Sequence, residues 1–141
     1  MAYYSSDKNI EDGLKPRKEA PFKSIGELYT LLQEKGWCEY SAFNKSMWNP
    51  ENKCNGQCNA TVLLLQEFFG GDIIEYPNPS AGKFKHFFNR INGCDIDLTS
   101  EQFENELKDY NCQSKKAKIK SNFDYQKSAY ILKLRLGLGD I

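Results

Sequence analysis

Three residues in the sequence could supply a nucleophile, a base and an orienting carboxylate: Cys58, His86 and Asp97. The chain has one histidine, so any chemistry that needs an imidazole near neutral pH must use His86. Cys58 follows Gly56 and Gln57 at the predicted start of a helix, where unpaired backbone N–H groups and the helix dipole favour a thiolate and an oxyanion. These residue types therefore predict acyl-group chemistry on an amide or thioester.

Each of these side chains also has an ordinary structural explanation. Most cysteines at a helix start are small core residues, and a single histidine on a strand is commonly a polar group with its hydrogen bonds satisfied. Cys54, Cys58, Cys94 and His86 include the ligand types of a zinc site. Cys54 and Cys58 have Cys-x3-Cys spacing, but the sequence has no second pair of ligands. We therefore expect no metal and no cofactor. A disulfide between Cys54 and Cys58 is equally unexpected.

The elements that must position these residues follow from hydrophobic periodicity and capping signals. In chain order the sequence predicts helices over residues 24–36 and 58–70, a strand over 72–76, a hairpin over 84–98, and helices over 99–108 and 124–136. We expect Tyr130 and Leu134 on the last helix to face inward. The order predicts a flexible leader over residues 1–21 and one α+β domain over 22–141, with a small antiparallel sheet packed against the Cys58 helix.

The hairpin is the clearest local signal, because Asn92-Gly93 favours a two-residue type I′ turn. That turn sets a register in which His86 and Asp97 share one face of the sheet as diagonal neighbours. We expect this face to lie over the start of the Cys58 helix. The Cys58 sulfur should then lie within about 4 Å of one ring nitrogen of His86, with the Asp97 carboxylate near the other.

Composition narrows the class of protein. The chain has 141 residues, the size of one domain, and its 19 basic residues balance 19 acidic ones. We therefore expect neither nucleic acid nor an anionic membrane as the main partner, and we interpret the lysines of residues 115–120 as part of a solvated loop. The polar first 20 residues contain no secretory signal, and the five cysteines are irregularly spaced, so the expectation is a soluble cytoplasmic protein.

Several motifs, in order, resemble the YunG-like family of small bacterial proteins. They are Trp48-Asn49-Pro50, Gly56-Gln57-Cys58 with Thr61, the run from Leu65 to Ile73, the run from His86 to Gly93, Asp97-Leu98-Thr99 and the terminal helix Tyr130 to Arg135. The resemblance covers roughly residues 37–135. It implies that Cys58, His86 and Asp97 are important, and it carries no established activity or substrate.

The order of a cysteine on a helix, a histidine on a strand and an acid on the next strand also resembles the papain-like superfamily, including transglutaminase-like enzymes. This resemblance implies a cysteine-dependent hydrolase or acyltransferase, with Gln57 and Trp48 as candidate substrate-binding residues. Papain-type enzymes place an oxyanion glutamine several residues before the cysteine, whereas Gln57 is adjacent to Cys58. The alternative is a non-catalytic immunity-type or regulatory protein-binding module that keeps a papain-like fold.

Overall fold

A five-stranded antiparallel sheet organises the described part of the chain. The computed structural model describes residues 3–76, 86–102, 110, 115–119 and 121–138. The strands within these ranges are β1 (Tyr4–Ser5), β2 (Asp72–Tyr76), β3 (His86–Ile91), β4 (Cys94–Asp97) and β5 (Lys115–Lys116), in the sheet order β1-β4-β3-β2-β5. The α-helices are α1 (Lys8–Gly13), α2 (Ile25–Leu31), α3 (Cys58–Phe69) and α4 (Phe123–Arg135). The predicted α+β class, with a small antiparallel sheet, is confirmed.

The β3–β4 hairpin has the predicted turn and register. Asn92 and Gly93 both have positive φ, 51° and 80°, the backbone that a type I′ turn requires. Ile91 pairs with Cys94, and the ladder continues through Asn89 opposite Ile96. The turn fixes the register of the two strands. This register determines on which face of the sheet each β4 side chain lies.

The two faces of the sheet bury different groups. On one face, apolar residues of β3 and β4 pack with α3 in the main core, and Asn89 Nδ2 donates a hydrogen bond of 3.0 Å to the Val62 carbonyl of α3. The opposite face carries a smaller aromatic cluster, made of Ile74, Tyr76, Phe88 and Tyr110. The sheet is therefore covered on both sides, and its second face is the more aromatic.

Helix α4 packs against α3 with a different face from the one predicted. The side chains it buries are Ala129 and Leu132, followed by Leu136 at its C-terminal cap. Tyr130 and Leu134 are exposed, so the prediction that they face inward is wrong. Apolar residues occur on more than one side of this helix, and the small Ala129 side chain lets the two helix backbones approach closely, which periodicity alone does not reveal.

The first residues of the chain differ from the flexible leader that the sequence predicts. Tyr4 of β1 pairs with Asp97 of β4, at one edge of the sheet. Asp7 caps α1 by accepting hydrogen bonds from two backbone N–H groups of its first turn. The Tyr3 hydroxyl donates a buried hydrogen bond of 2.5 Å to Glu11 Oε2. Strand pairing and a buried polar contact thus order a segment whose composition is typical of a mobile leader.

The helix predicted over residues 24–36 forms in two parts. Ser24 Oγ accepts a hydrogen bond of 3.1 Å from the Glu27 N–H, which confirms the predicted N-terminal cap. The chain then widens into a π-helical turn over Leu32–Gly36, closed by the Trp37 N–H on the Leu32 carbonyl at 2.9 Å. The helix predicted over 99–108 starts as a 3-10 turn, Ser100–Gln102, and residues 103–108 lie outside the described ranges. Across the described residues, no helix is long and apolar enough to cross a membrane.

Candidate active site

Cys58 is the first residue of α3, as predicted. The turn before it requires a glycine, because Gly56 has φ +78° and a Cβ there would lie 3.0 Å from the Met47 Cβ. Gln57 is the N-terminal cap, and its carbonyl accepts the Thr61 N–H at 3.0 Å. In an α-helix, the N–H groups of the first turn have no acceptor within the same helix. Cys58 therefore lies at the positive end of the α3 dipole.

His86 and Asp97 form a buried pair. His86 Nε2 lies 2.6 Å from Asp97 Oδ2, and both residues are only 1% exposed. The Tyr110 hydroxyl donates a second hydrogen bond, of 2.7 Å, to the same oxygen. The other oxygen, Oδ1, accepts hydrogen bonds from the backbone N–H and the hydroxyl of Thr99, at 3.2 and 3.3 Å. The carboxylate is thus held by four donors, which fixes its orientation toward the ring.

The Cys58 side chain makes a hydrogen bond with the imidazole of His86. Burial of the ring lowers the pKa of His86, but the charge and hydrogen bond of Asp97, together with the hydrogen bond to Cys58, raise it to about 10. Because Nε2 is bonded to Asp97, Nδ1 is the ring nitrogen left for the thiol. The Asp97 carboxylate thus favours the protonated imidazole beside Cys58.

The three side chains meet where β3 and α3 begin, since His86 and Cys58 are the first residues of these elements. We expected the face of the sheet that carries His86 to lie over the start of α3. The body of α3 packs on the opposite face, whereas Tyr76 and Phe88, the neighbours of His86, belong to the aromatic cluster. His86 is the first residue of β3, so its ring lies at the N-terminal end of the strand. There the side chain is within reach of the start of α3 as well as of its own face.

Aromatic side chains border the thiol. Tyr125, in the first turn of α4, has a raised pKa because of burial and then because of the nearby Cys58 charge. Its ring centroid lies 6.4 Å from those of Phe43 and Phe87. Phe43 is 48% exposed, and its backbone N–H donates to the Gly56 carbonyl at 2.6 Å, which ties it to the turn that precedes Cys58. An exposed aromatic surface therefore adjoins the candidate nucleophile.

Gln57, expected to bind substrate, has both polar groups of its side chain occupied within the protein. Its Nε2 donates to the Cys38 carbonyl at 2.8 Å, and its Oε1 accepts from the Ser41 hydroxyl at 2.6 Å. The residue has no exposed surface. This geometry makes Gln57 an anchor between the segment before α3 and the start of the helix.

Trp48, the other expected substrate-binding residue, follows a short 3-10 turn, Lys45–Met47. It is partly buried, and its Nε1 is a buried donor for which the described residues provide no acceptor. Among the described residues no hydrogen bond joins Trp48 to the three side chains of the candidate site. Its assignment to substrate binding stays a prediction.

The other cysteines differ from Cys58 in their surroundings. Cys54 is buried, its Sγ lies 3.4 Å from Asn52 Oδ1, and burial raises the pKa of its thiol far above the ordinary value. Cys38, Cys54, Cys58 and Cys94 are all free thiols, and Cys112 lies outside the described residues. Within the part of the chain that the structure describes, no three His, Cys, Asp or Glu side chains are arranged to hold a metal ion.

Tyr110 is the residue of this site that sequence reasoning missed. It lies 13 positions after Asp97, in a stretch without a hydrophobic period that would indicate burial. No local signal identifies such a contact, because it depends on how a distant segment returns to the sheet. An isolated tyrosine between two polar stretches was the available hint.

Comparison with known proteins places these residues in a family. A family model described as YunG protein matches residues 10–136 of the chain. The chain belongs to the YunG family. The matched region contains Cys58, His86, Asp97 and Tyr110, and the family predicted from the motifs is confirmed.

One curated relative in this family is the "Uncharacterized protein YunG" of Bacillus subtilis (strain 168), which is 40% identical over 76 residues. The aligned region is 54% of this chain and 59% of that relative, so the similarity spans less than two thirds of its length. No solved structure matches the chain.

Proposed function

We propose that this protein is a thiol-dependent hydrolase or acyltransferase that acts on an amide or thioester in a small molecule or peptide. Cys58 is the nucleophile, His86 the general base and acid, and Asp97 the orienting carboxylate. The observation that carries this proposal is the imidazole of His86 itself, hydrogen-bonded to the Cys58 thiol and, at 2.6 Å, to Asp97 Oδ2. A papain-like or transglutaminase-like core is part of the proposal, because such enzymes share this order of residues.

The proposed reaction begins with an ion pair. In this pair Cys58 is the thiolate, which is the nucleophilic form of cysteine, and His86 is the imidazolium. The Cys58 sulfur attacks the carbonyl carbon, and the carbonyl oxygen becomes an oxyanion near the first-turn N–H groups of α3. When the intermediate collapses, the C–N or C–S bond of the substrate breaks, and His86 gives its proton to the leaving amine or thiol.

The second half of the reaction releases the acyl group. The oxygen or nitrogen of water, or of an acceptor alcohol or amine, attacks the thioester on Cys58. Neutral His86 accepts the proton that this attacking group loses. Breaking the C–S bond regenerates the thiolate, and the imidazolium again stands beside it. Asp97 stays ionised throughout and holds the ring in the orientation in which the second nitrogen faces the sulfur.

The alternative is a non-catalytic protein-binding module, and the burial of the site favours it. Cys58 is 7% exposed and His86 only 1%, so a substrate has little access to the thiol in this conformation. A buried thiol–imidazole–carboxylate group can serve as a polar core that specifies the fold. The two functions differ in one measurable property, which is whether the Cys58 sulfur becomes acylated.

Intact-mass spectrometry after incubation with a panel of aryl thioesters and activated amides tests the proposal. The expected result is one acyl adduct on the wild-type protein and none on Cys58→Ala. Cys38→Ala is the matched control, because it removes another buried free thiol and should leave the adduct in place. Absence of any adduct across the panel, with a folded protein, would favour the binding module.

A further inference from the structure

We propose that Tyr110 is a positioning residue whose hydroxyl holds Asp97 in place and sets how strongly that carboxylate attracts the imidazole of His86. This inference rests on the proposed function. Tyr110 donates a hydrogen bond of 2.7 Å to Oδ2, the oxygen that lies 2.6 Å from His86 Nε2. One carboxylate oxygen is therefore shared between two donors, both of them buried.

The Tyr110 ring is held rigidly enough for this role. Its centroid lies 3.9 Å from that of Tyr4 with the planes inclined by 7°, a stacked pair that joins β1 to the site. Phe88 and Tyr76 meet it edge-on, at 5.0 and 5.2 Å between centroids. With only 1% of its surface exposed, the ring has no room to turn its hydroxyl away from Asp97.

The hydroxyl remains a donor under all ordinary conditions. Burial, followed by the charge and hydrogen bond of Asp97, raises the pKa of Tyr110 well above its usual range, so the phenol keeps its proton. A neutral donor on Oδ2 withdraws part of the negative charge that would otherwise face the ring. Tyr110 should therefore make His86 a weaker base than an unshared carboxylate would make it.

Within the described ranges, the charged and titratable groups around His86 include groups from three elements besides its own. Asp97 contributes from β4 and Cys58 from α3, and Tyr76 of β2 has its ring centroid 6.1 Å from the imidazole. Tyr110 acts through Asp97 and has no direct hydrogen bond to the imidazole among the contacts described. Removing its hydroxyl should consequently change the titration of the ring without removing a group that binds the ring.

Imidazole NMR of Tyr110→Phe tests this inference directly, because the chain has one histidine and the signals belong to His86 alone. We expect the titration midpoint of His86 to rise by about one pH unit, the size expected when a hydrogen bond to a charged group is lost. Tyr4→Phe is the control, since it keeps the stacked ring and removes a hydroxyl near Asp95 rather than Asp97. An unchanged midpoint in Tyr110→Phe, or an equal rise in Tyr4→Phe, would overturn the role.

A measurement on the wild-type protein keeps the inference testable if Tyr110→Phe does not fold. The Tyr110 hydroxyl proton should be protected from exchange with water and show a nuclear Overhauser effect to the imidazole of His86. Rapid exchange of this proton would contradict the inference. A shifted midpoint in a protein whose Cys58 accepts no acyl group would refute the proposed function and leave the Tyr110 contact intact, so the two failures are distinguishable.

Discussion

His86 Nε2 and Asp97 Oδ2 lie 2.6 Å apart in a buried pair, which links protonation of the ring to folding. The pKa of His86 rises from 6.5 to about 10 in the folded chain. A group with a raised folded pKa contributes stability that is fully present below its unfolded pKa and is lost as the pH rises through the folded value. The pair should therefore stabilise the fold most below pH 6.5 and lose this contribution as the pH approaches 10.

Asp97→Asn tests that linkage. We expect it to lower the free energy of unfolding by about 3 kcal/mol near pH 6, because it leaves a buried imidazolium without its counterion. The loss should be smaller near pH 9.5, where less of the imidazolium remains to be stabilised. Chemical denaturation of both proteins at the two pH values measures the difference.

Asp95→Asn is the matched control for this comparison. It removes a carboxylate from the same strand, one that binds Arg90 through Nε at 2.6 Å and Nη2 at 3.2 Å. Arg90 stays charged between the two pH values. Asp95→Asn should therefore lower the free energy of unfolding by the same amount at both. A pH-independent loss in Asp97→Asn as well would mean that His86 is not protonated beside it.

Alkylation should single out Cys58 among the cysteines. At about pH 6 an ordinary thiol is nearly all protonated, so fast alkylation there identifies a cysteine that reacts as a thiolate, as the proposed mechanism requires of Cys58. We expect iodoacetamide to modify Cys58 first, and the rate to fall about tenfold or more in His86→Gln. Peptide mapping with mass spectrometry follows each cysteine separately. Faster labelling of Cys38 or Cys112, with Cys58 inert, would argue strongly against a nucleophile at position 58.

Gln57→Ala should affect stability more than chemistry. The substitution removes two buried hydrogen bonds, one from the Ser41 hydroxyl and one to the Cys38 carbonyl. We expect a loss of about 2 kcal/mol in the free energy of unfolding. Gln66→Ala, which removes an exposed hydrogen bond to the Gly71 carbonyl, should cost about 0.5 kcal/mol or less. Equal effects in the two variants would contradict the anchoring role of Gln57.

Phe43→Ala should change which reagents reach the thiol. The exposed ring of Phe43 lies beside Tyr125, near Cys58, and can stack on an aromatic group of an incoming compound. We expect an aryl-substituted haloacetamide to react with Cys58 about fivefold more slowly in this variant, and iodoacetamide at an unchanged rate. Tyr130→Ala, which removes an aromatic residue of similar exposure, 47% against 48%, should leave both rates unchanged. An identical slowing of both reagents would show that Phe43 does not discriminate between them.

The parts of the site that depend on local geometry could be predicted from the sequence. The Asn92-Gly93 turn determined the register of Asp97, and the position of Cys58 at a helix start followed from the glycines and the apolar period around it. Tyr110 could not be predicted, because its contact depends on a distant segment. The sheet face on which the body of α3 packs could not be predicted either, because both faces of the sheet carry large apolar side chains.

Strand β1 also protects the sheet from other chains. Through Tyr4 and Ser5 it occupies the backbone hydrogen-bonding edge of β4 beside Asp97 and Ile96. An uncovered edge is a template for pairing with a strand of a second molecule, by domain swapping or by aggregation. The two residues of β1 therefore limit self-association of the protein. A variant that lacks the chain up to and including Ser5 should self-associate increasingly as its concentration rises, even if each molecule still folds.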